Sequence, residues 1–137
     1  MSLGQFNLAK LIRSLIPVIF LLISCKSTAE QAITNTNFEQ FVEQVESLQD
    51  VNPGKAFLVL DAQMVNLAQL TTENQLTFYR LLAEVYVEQG QYQKSQEVAT
   101  QGLTLAMALA NPSIVTAELL YSRGFALESL GDYKKAR

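Results

Sequence analysis

The clearest pattern in the chain is a pair of apolar stripes on either side of Gly90. The first stripe has the three- and four-residue spacing of one helix face and consists of Tyr79, Leu82, Ala83 and Tyr86. The second has the same spacing and consists of Tyr92, Ser95, Val98, Ala99, Gly102 and Leu103. Because glycine is common just after a helix end, Gly90 marks a turn between two helices. Residues 76–106 are therefore predicted to form a helical hairpin.

A weaker helical pattern precedes this hairpin, in residues 37–70. Behind Asn37, a residue type that often caps helix N-termini, the apolar stripe consists of Phe38, Phe41, Val42, Val45 and Leu48. Pro53 is predicted to begin the next helix, because proline is favoured at a first helical position. The inward face of that helix would consist of Ala56, Val59, Leu60, Met64 and Leu67. No strand-like alternation competes, so the sequence predicts an all-α fold.

Part of the hairpin recurs 41 positions downstream. Tyr79-x2-Leu82-Ala83-x2-Tyr86 stands where the tetratricopeptide repeat (TPR) has Trp-x2-Leu-Gly-x2-Tyr, and Ser95-x3-Ala99 stands where it has Ala-x3-Phe. The residues that match in the next copy are Leu120, Gly124, Leu127, Gly131, Tyr133 and Ala136. Together these residues resemble the TPR family.

The resemblance implies antiparallel helical hairpins stacked as a short right-handed α-solenoid, at residues 37–70, 76–110 and 114–137. Two residues depart from the motif: Arg123 stands in place of leucine, and Met107 in place of the closing proline. The period of 41 also exceeds the usual period of about 34 by seven residues, which is close to two helical turns. We interpret the run 106–110 as the additional length, in a longer-helix variant of the repeat.

The third hairpin is expected to be incomplete, since the chain ends at Arg137, near the start of its second helix. Leu120, Phe125 and Leu127 would then lack the helix that covers such a face in a repeat array. We therefore expect the front part of a longer protein, or a gene product cut short. The uncovered apolar face would favour self-association.

The first 24 residues have the pattern of an export signal. Two positive side chains, Lys10 and Arg13, precede an apolar run that is shorter than the roughly 20 residues needed to span a bilayer. Residues 1–24 are therefore predicted to be a signal peptide, and residues 25–36 a polar tether that follows it.

The end of the apolar run, Leu22-Ile23-Ser24-Cys25, resembles the lipobox of bacterial lipoproteins. The resemblance implies cleavage before Cys25 and lipidation of its thiol, which anchors the protein to a membrane. In that family Lys26, rather than aspartate, after the cysteine favours the outer membrane. The alternative is an ordinary secretory signal. Both interpretations export the chain, to the periplasmic side of the cell envelope.

Composition narrows the chemistry that the folded part can perform. The chain has no histidine and one cysteine, which excludes histidine-based catalysis, histidine metal sites, internal disulfides and cysteine-only zinc sites. Without Lys10 and Arg13, eight basic residues face 13 acidic ones, a net charge of −5 that disfavours nucleic-acid binding. We expect no enzyme activity, cofactor or metal.

Glu84 and Glu88 lie four residues apart on one predicted helix face. With no histidine and no third ligand nearby, we interpret them as a solvated face or the floor of a binding groove, not as a catalytic or metal site. The TPR resemblance implies a concave groove lined by the first helix of each hairpin. The groove residues would be Arg80, Glu84, Val87, Glu88, Tyr121, Phe125 and Glu128. Such a mildly acidic lining suits a peptide or partner helix with some positive charge.

These observations predict a non-catalytic scaffold for protein–protein interaction at the bacterial cell envelope, anchored by lipid. One alternative is the periplasmic sensor region of a longer membrane signalling enzyme, a diguanylate cyclase or a histidine kinase, with its catalytic domain beyond residue 137. A second alternative is a decayed gene fragment without function. The downstream reading frame would distinguish the three.

Overall fold

In the computed structural model, which describes residues 31–111 and 113–132, helices are the only regular secondary structure. The elements in chain order are α1 (Phe38–Gln49), α2 (Pro53–Gln63), a 3-10 helix (Met64–Gln69), α3 (Thr72–Glu88), α4 (Tyr92–Ala106) and α5 (Ile114–Ser129). The predicted all-α fold class is confirmed. Within the described residues, every helix is too short or too polar to cross a membrane. The predictions for the signal peptide, Cys25, Lys26, Tyr133 and Ala136 concern residues outside the described part.

Short polar residues begin two of these helices. The side chain of Asn52 accepts a hydrogen bond from the backbone N–H of Lys55 at 3.0 Å, and Pro53 follows as the first residue of α2, as predicted. Thr71 caps α3 in the same way. Asn37 stands at the predicted N-cap position of α1 but makes no capping bond to that helix. Its Oδ1 instead accepts from the backbone N–H of Thr34 at 2.6 Å, which holds the preceding turn.

Two glycines end helices with the same geometry. Gly90 follows α3 with φ of 68°, and Gly131 follows α5 with φ of 78°, a left-handed conformation that costs glycine little. At each end, the two N–H groups that follow the helix bond back to carbonyls of its last turn: Gly90 to Val87, Gln91 to Tyr86, Gly131 to Glu128 and Asp132 to Leu127. This is the Schellman pattern. The two sets of bonds lie 41 residues apart throughout.

Consecutive helices pack against each other, and α3 also packs against both α1 and α5. Helix α1 contacts α2 and α3, and α3 contacts α4 and α5; α2 also packs on α3, and α4 on α5. The odd-numbered helices α1, α3 and α5 are thus neighbours, with α3 between the other two. These three helices together line the candidate site.

Aromatic and small side chains fill the two core regions. Between α1 and α3, the rings of Phe41 and Phe78 stack with centroids 5.9 Å apart and an interplanar angle of 2°. Around α4, close packing relies on small residues: buried Ser95 donates its hydroxyl to the carbonyl of Ala83 at 2.9 Å. A Cβ on Gly102 would lie 2.9 Å from a methyl group of Leu119. Helices α3, α4 and α5 therefore approach closely where side chains are smallest.

Two details of the predicted hairpins and the end of the predicted tether are wrong. Helix α4 ends at Ala106, and residues 107–111 form turns and bends, so the run 106–110 does not lengthen the helix. Helix α2 ends at Gln63 and continues as a 3-10 helix, whose tighter winding leaves Met64 exposed. The polar tether was predicted to reach residue 36, but Ile33 is buried and its N–H donates to Oε1 of Gln63 at 3.0 Å. The packed part of the chain thus begins by Ile33.

The apolar face predicted for the third hairpin is only partly exposed. Leu120 and Phe125 are 54% and 40% exposed, but Leu127 is buried, contrary to the prediction. The buried residues of α5 are Leu119, Ser122, Ala126 and Leu127, which follow the i, i+3, i+7, i+8 spacing of a packed helix face. Leu127 therefore belongs to the inward stripe, whereas Leu120 and Phe125 lie beside it.

Candidate functional site

Arg80 connects the three odd-numbered helices through ion pairs. Its side chain projects from the middle helix, α3, and is only 13% exposed. One terminal nitrogen, Nη2, lies 2.8 Å from Oε1 of Glu46 on α1. The other, Nη1, bonds both carboxylate oxygens of Glu84 one helical turn away, at 2.9 and 3.2 Å. Its Nε lies 3.4 Å from Oε2 of Glu118 on α5. One guanidinium thus holds α1, α3 and α5 in register.

Three carboxylates share this single positive charge, which leaves the Arg80 cluster with two negative charges in excess. Burial alone would lower the pKa of Arg80, but its hydrogen bond to Glu46 and the charges of Glu84 and Glu118 raise that pKa. Burial raises the pKa of Glu84 above its ordinary value of 4.5, although Arg80 and a hydrogen bond to Gln49 act in the opposite direction. The lining of this surface is therefore acidic.

A cavity of about 340 Å³ opens next to this cluster, between the same three helices. Its lining residues are Gln49 from α1, Glu84, Val87 and Glu88 from α3, and Tyr121, Ser122 and Phe125 from α5. Five of the seven predicted groove residues therefore line the cavity: Glu84, Val87, Glu88, Tyr121 and Phe125. Arg80 lies beside the cavity through its ion pair with Glu84, and Glu128 is exposed on α5 without lining it.

One wall of the cavity is aromatic. The rings of Tyr121 and Phe125 stack with centroids 6.4 Å apart, and Tyr92 and Phe125 meet edge to face with centroids 6.2 Å apart. Tyr121 is 74% exposed and Phe125 is 40% exposed, so the two stacked rings form one exposed apolar patch. The opposite wall carries Glu84 and Glu88. The arrangement can therefore bind a group that is both cationic and flat.

Glu88 differs from Glu84 in having no partner within the described residues. Glu84 is held by Arg80 and Gln49, whereas Glu88, one turn further along α3, makes neither a hydrogen bond nor an ion pair with any residue in 31–111 or 113–132. It is exposed at the edge of the cavity. In the same part of the chain, no group of three or more acidic, histidine or cysteine side chains is placed to hold a metal ion.

The chain matches no protein-family model, no curated protein and no solved structure.

Sequence reasoning missed several residues of this site. Glu46 and Glu118 lie 34 and 38 positions from Arg80, so only the packing of α1 and α5 against α3 brings them to its guanidinium. Gln49 and Ser122 line the cavity and carried no signal of their own in the sequence. The pair of Arg80 with Glu84 was detectable, because oppositely charged residues four positions apart meet on a helix surface.

A second cavity, of about 530 Å³, lies between α4 and α5 and is mostly apolar. Leu120, 54% exposed, and Met107, 79% exposed, lie at its edge. The Nε atom of Arg123 is buried there without a hydrogen-bond acceptor among the described residues. Self-association through the apolar face that includes Leu120 and Phe125 stays a prediction.

Proposed function

We propose that this protein is an exported, TPR-like scaffold that binds a peptide segment of another protein on the surface formed by α1, α3 and α5. The observation that carries the proposal is the open cavity between these three helices, with an acidic wall and an aromatic wall. Concave sites with a few polar groups and exposed aromatic rings are typical of binding surfaces.

The TPR-like arrangement is supported by two features of the fold. In a stack of helical hairpins, the first helix of each hairpin contacts its own second helix and the first helix of the next hairpin. The contacts of α1 and α3 follow this order. The helix ends at Gly90 and Gly131 also share one hydrogen-bond pattern at the 41-residue interval of the sequence recurrence. Under this proposal α1, α3 and α5 are the groove-forming helices.

Photo-cross-linking tests whether this surface binds a partner. Benzoylphenylalanine placed at Tyr121, which is 74% exposed in the cavity, should form a specific adduct in cells of the source organism. The matched control is the same group at Leu58, which is 64% exposed on α2 and outside the cavity. We expect an adduct from Tyr121 alone, measured as a shifted band on a denaturing gel. Equal adducts from both positions, or none from Tyr121, would contradict a binding role for this surface.

We propose in addition that the protein is anchored to the outer membrane through lipid on Cys25, as the lipobox resemblance implies. Several acyl chains make attachment stable, whereas a single chain is marginal. The wild-type protein should therefore partition into the detergent phase, and Cys25→Ser should abolish this partitioning or block processing. Intact-mass analysis should place the mature amino end at Cys25 with added acyl mass. An unmodified amino end at another residue would contradict the lipid anchor while leaving export possible.

A further inference from the structure

The Arg80 cluster and the cavity beside it each contain a glutamate of α3 next to the space between α1, α3 and α5. At the first position, a carboxylate of α3, Glu84, faces a guanidinium held between α1, α3 and α5. One turn further along, Glu88 presents the next carboxylate to an open cavity between the same helices. No lysine or arginine among the described residues lines that cavity. Among residues 31–111 and 113–132, the chain thus supplies a cation at the first position and none at the second.

We propose that this cavity binds an arginine side chain of the partner peptide, with the guanidinium against Glu88 and its flat face against Tyr121 and Phe125. The inference rests on the proposed function and names the residue type that the surface selects. It follows from three observations: the open cavity, the carboxylate of Glu88 that no described residue pairs with, and the exposed aromatic pair in the same lining.

Charge and shape both favour arginine over other residues. The Arg80 cluster already holds two negative charges in excess, and Glu88 adds a third, so the surface attracts a cation and repels an acidic peptide. A planar guanidinium can stack on an aromatic ring and bond a carboxylate through two N–H groups at once, which the compact ammonium of lysine cannot do. A cavity of about 340 Å³ is at the small end of ligand sites, which suits one long side chain.

Peptide pools with a single fixed residue test this inference. The probes are fluorescein-labelled seven-residue pools, randomised except at the central position, which is arginine, citrulline, lysine or norleucine. Citrulline keeps the shape of arginine but has no charge. The purified protein is titrated into each pool and binding is followed by fluorescence anisotropy. We expect the arginine pool to bind about tenfold more tightly than the citrulline pool, and this difference to shrink at high salt.

Two glutamate variants test whether the preference for arginine over citrulline depends on Glu88. Glu88→Gln removes one charge from the cavity edge and should reduce the preference for arginine to nearly that for citrulline. The matched control, Glu97→Gln, removes one charge from α4, which does not line this cavity, and should keep the preference. Both residues are exposed, so both variants should keep the thermal stability of the wild type.

The outcomes separate this inference from the proposed function beneath it. If peptide pools bind but arginine gains nothing over citrulline or lysine, or if Glu88→Gln keeps the preference, the arginine site is wrong and the peptide-binding surface stands. If no pool binds at any concentration tested, the peptide-binding function is contradicted and the arginine site falls with it. Tighter binding of the arginine pool that depends on Glu88 and not on Glu97 supports both.

Discussion

Replacing Phe78 with alanine should lower the free energy of unfolding by about 3–5 kcal/mol, the range for removing a fully buried aromatic ring. Phe78 on α3 is 0% exposed, and its ring stacks on that of Phe41 on α1. The substitution would leave a cavity between two of the three helices that form the candidate site. Because small domains are stable by only about 5–15 kcal/mol, the variant should be close to its unfolding threshold. Urea denaturation followed by circular dichroism measures the loss.

Two further variants keep this prediction testable if Phe78→Ala fails to fold. Phe78→Leu keeps most of the volume and should cost less than the alanine change, so it should fold with a measurable loss. Tyr121→Ala removes an aromatic ring that is 74% exposed, and it should cost less than about 1 kcal/mol. An equal loss from Tyr121→Ala and Phe78→Ala would show that the packing between α1 and α3 is not as described.

Local signals made the helices, and the ends of some of them, predictable from the sequence. Gly90 ends α3 because only glycine adopts a φ of 68° at little cost, and that requirement is visible in one residue. Pro53 begins α2 for a similarly local reason, its fixed φ. The apolar spacing around Tyr79 indicated one packed face of α3, but it missed a second buried face that carries Phe78, Leu81 and Val85. Each of these features depends on a residue and its near neighbours along the chain.

Features that depend on tertiary packing were not predictable in this way. Residues 107–111 are rich in alanine and leucine, which favour helix, yet they form turns and bends between α4 and α5. Gln63 would ordinarily be on the surface, but it is buried and accepts a hydrogen bond from Ile33, 30 residues earlier. Leu127 was assigned to an exposed face because the position of its own helix was unknown. The conformation of residues 107–111 and the burial of Gln63 and Leu127 all depend on contacts between residues far apart in the sequence.

In the candidate site, too, features set by neighbours in the sequence were predictable and features set by tertiary packing were not. The helix that carries Arg80, Glu84 and Glu88 was predictable, and so was the pairing of the first two across one turn. The cluster around Arg80 was not, because Glu46 and Glu118 reach it from two other helices. The sequence therefore indicated an acidic surface, while the open position at Glu88 required the structure.

Enlarging Gly102 should weaken the packing of α5, since this glycine lies where α3, α4 and α5 meet. An added Cβ would lie 2.9 Å from Cδ1 of Leu119 on α5 and 3.0 Å from Cβ of Tyr79 on α3. Both distances are below ordinary van der Waals contact, and Leu119 is fully buried with little room to move. In an exposed helix, glycine to alanine gains about 1 kcal/mol of helix propensity. Here overpacking, typically about 1–3 kcal/mol, should outweigh that gain.

We expect Gly102→Ala to be destabilising and Gly102→Val, which adds two more methyl groups, to cost about 3 kcal/mol. A loss of this size lowers the melting temperature by roughly 4–8 °C per kcal/mol in a domain of this length. Hydrogen exchange should show the largest loss of protection in α5, because Leu119 is the side chain that must move. The matched control is Gly54→Ala in α2, where a Cβ would meet only Asn52 Oδ1 at 3.4 Å. That change should be neutral or stabilising by up to about 1 kcal/mol. Stabilisation by Gly102→Ala as well would mean that α3, α4 and α5 do not meet at this glycine. The register that places Tyr121 and Phe125 opposite Glu88 would then be wrong too.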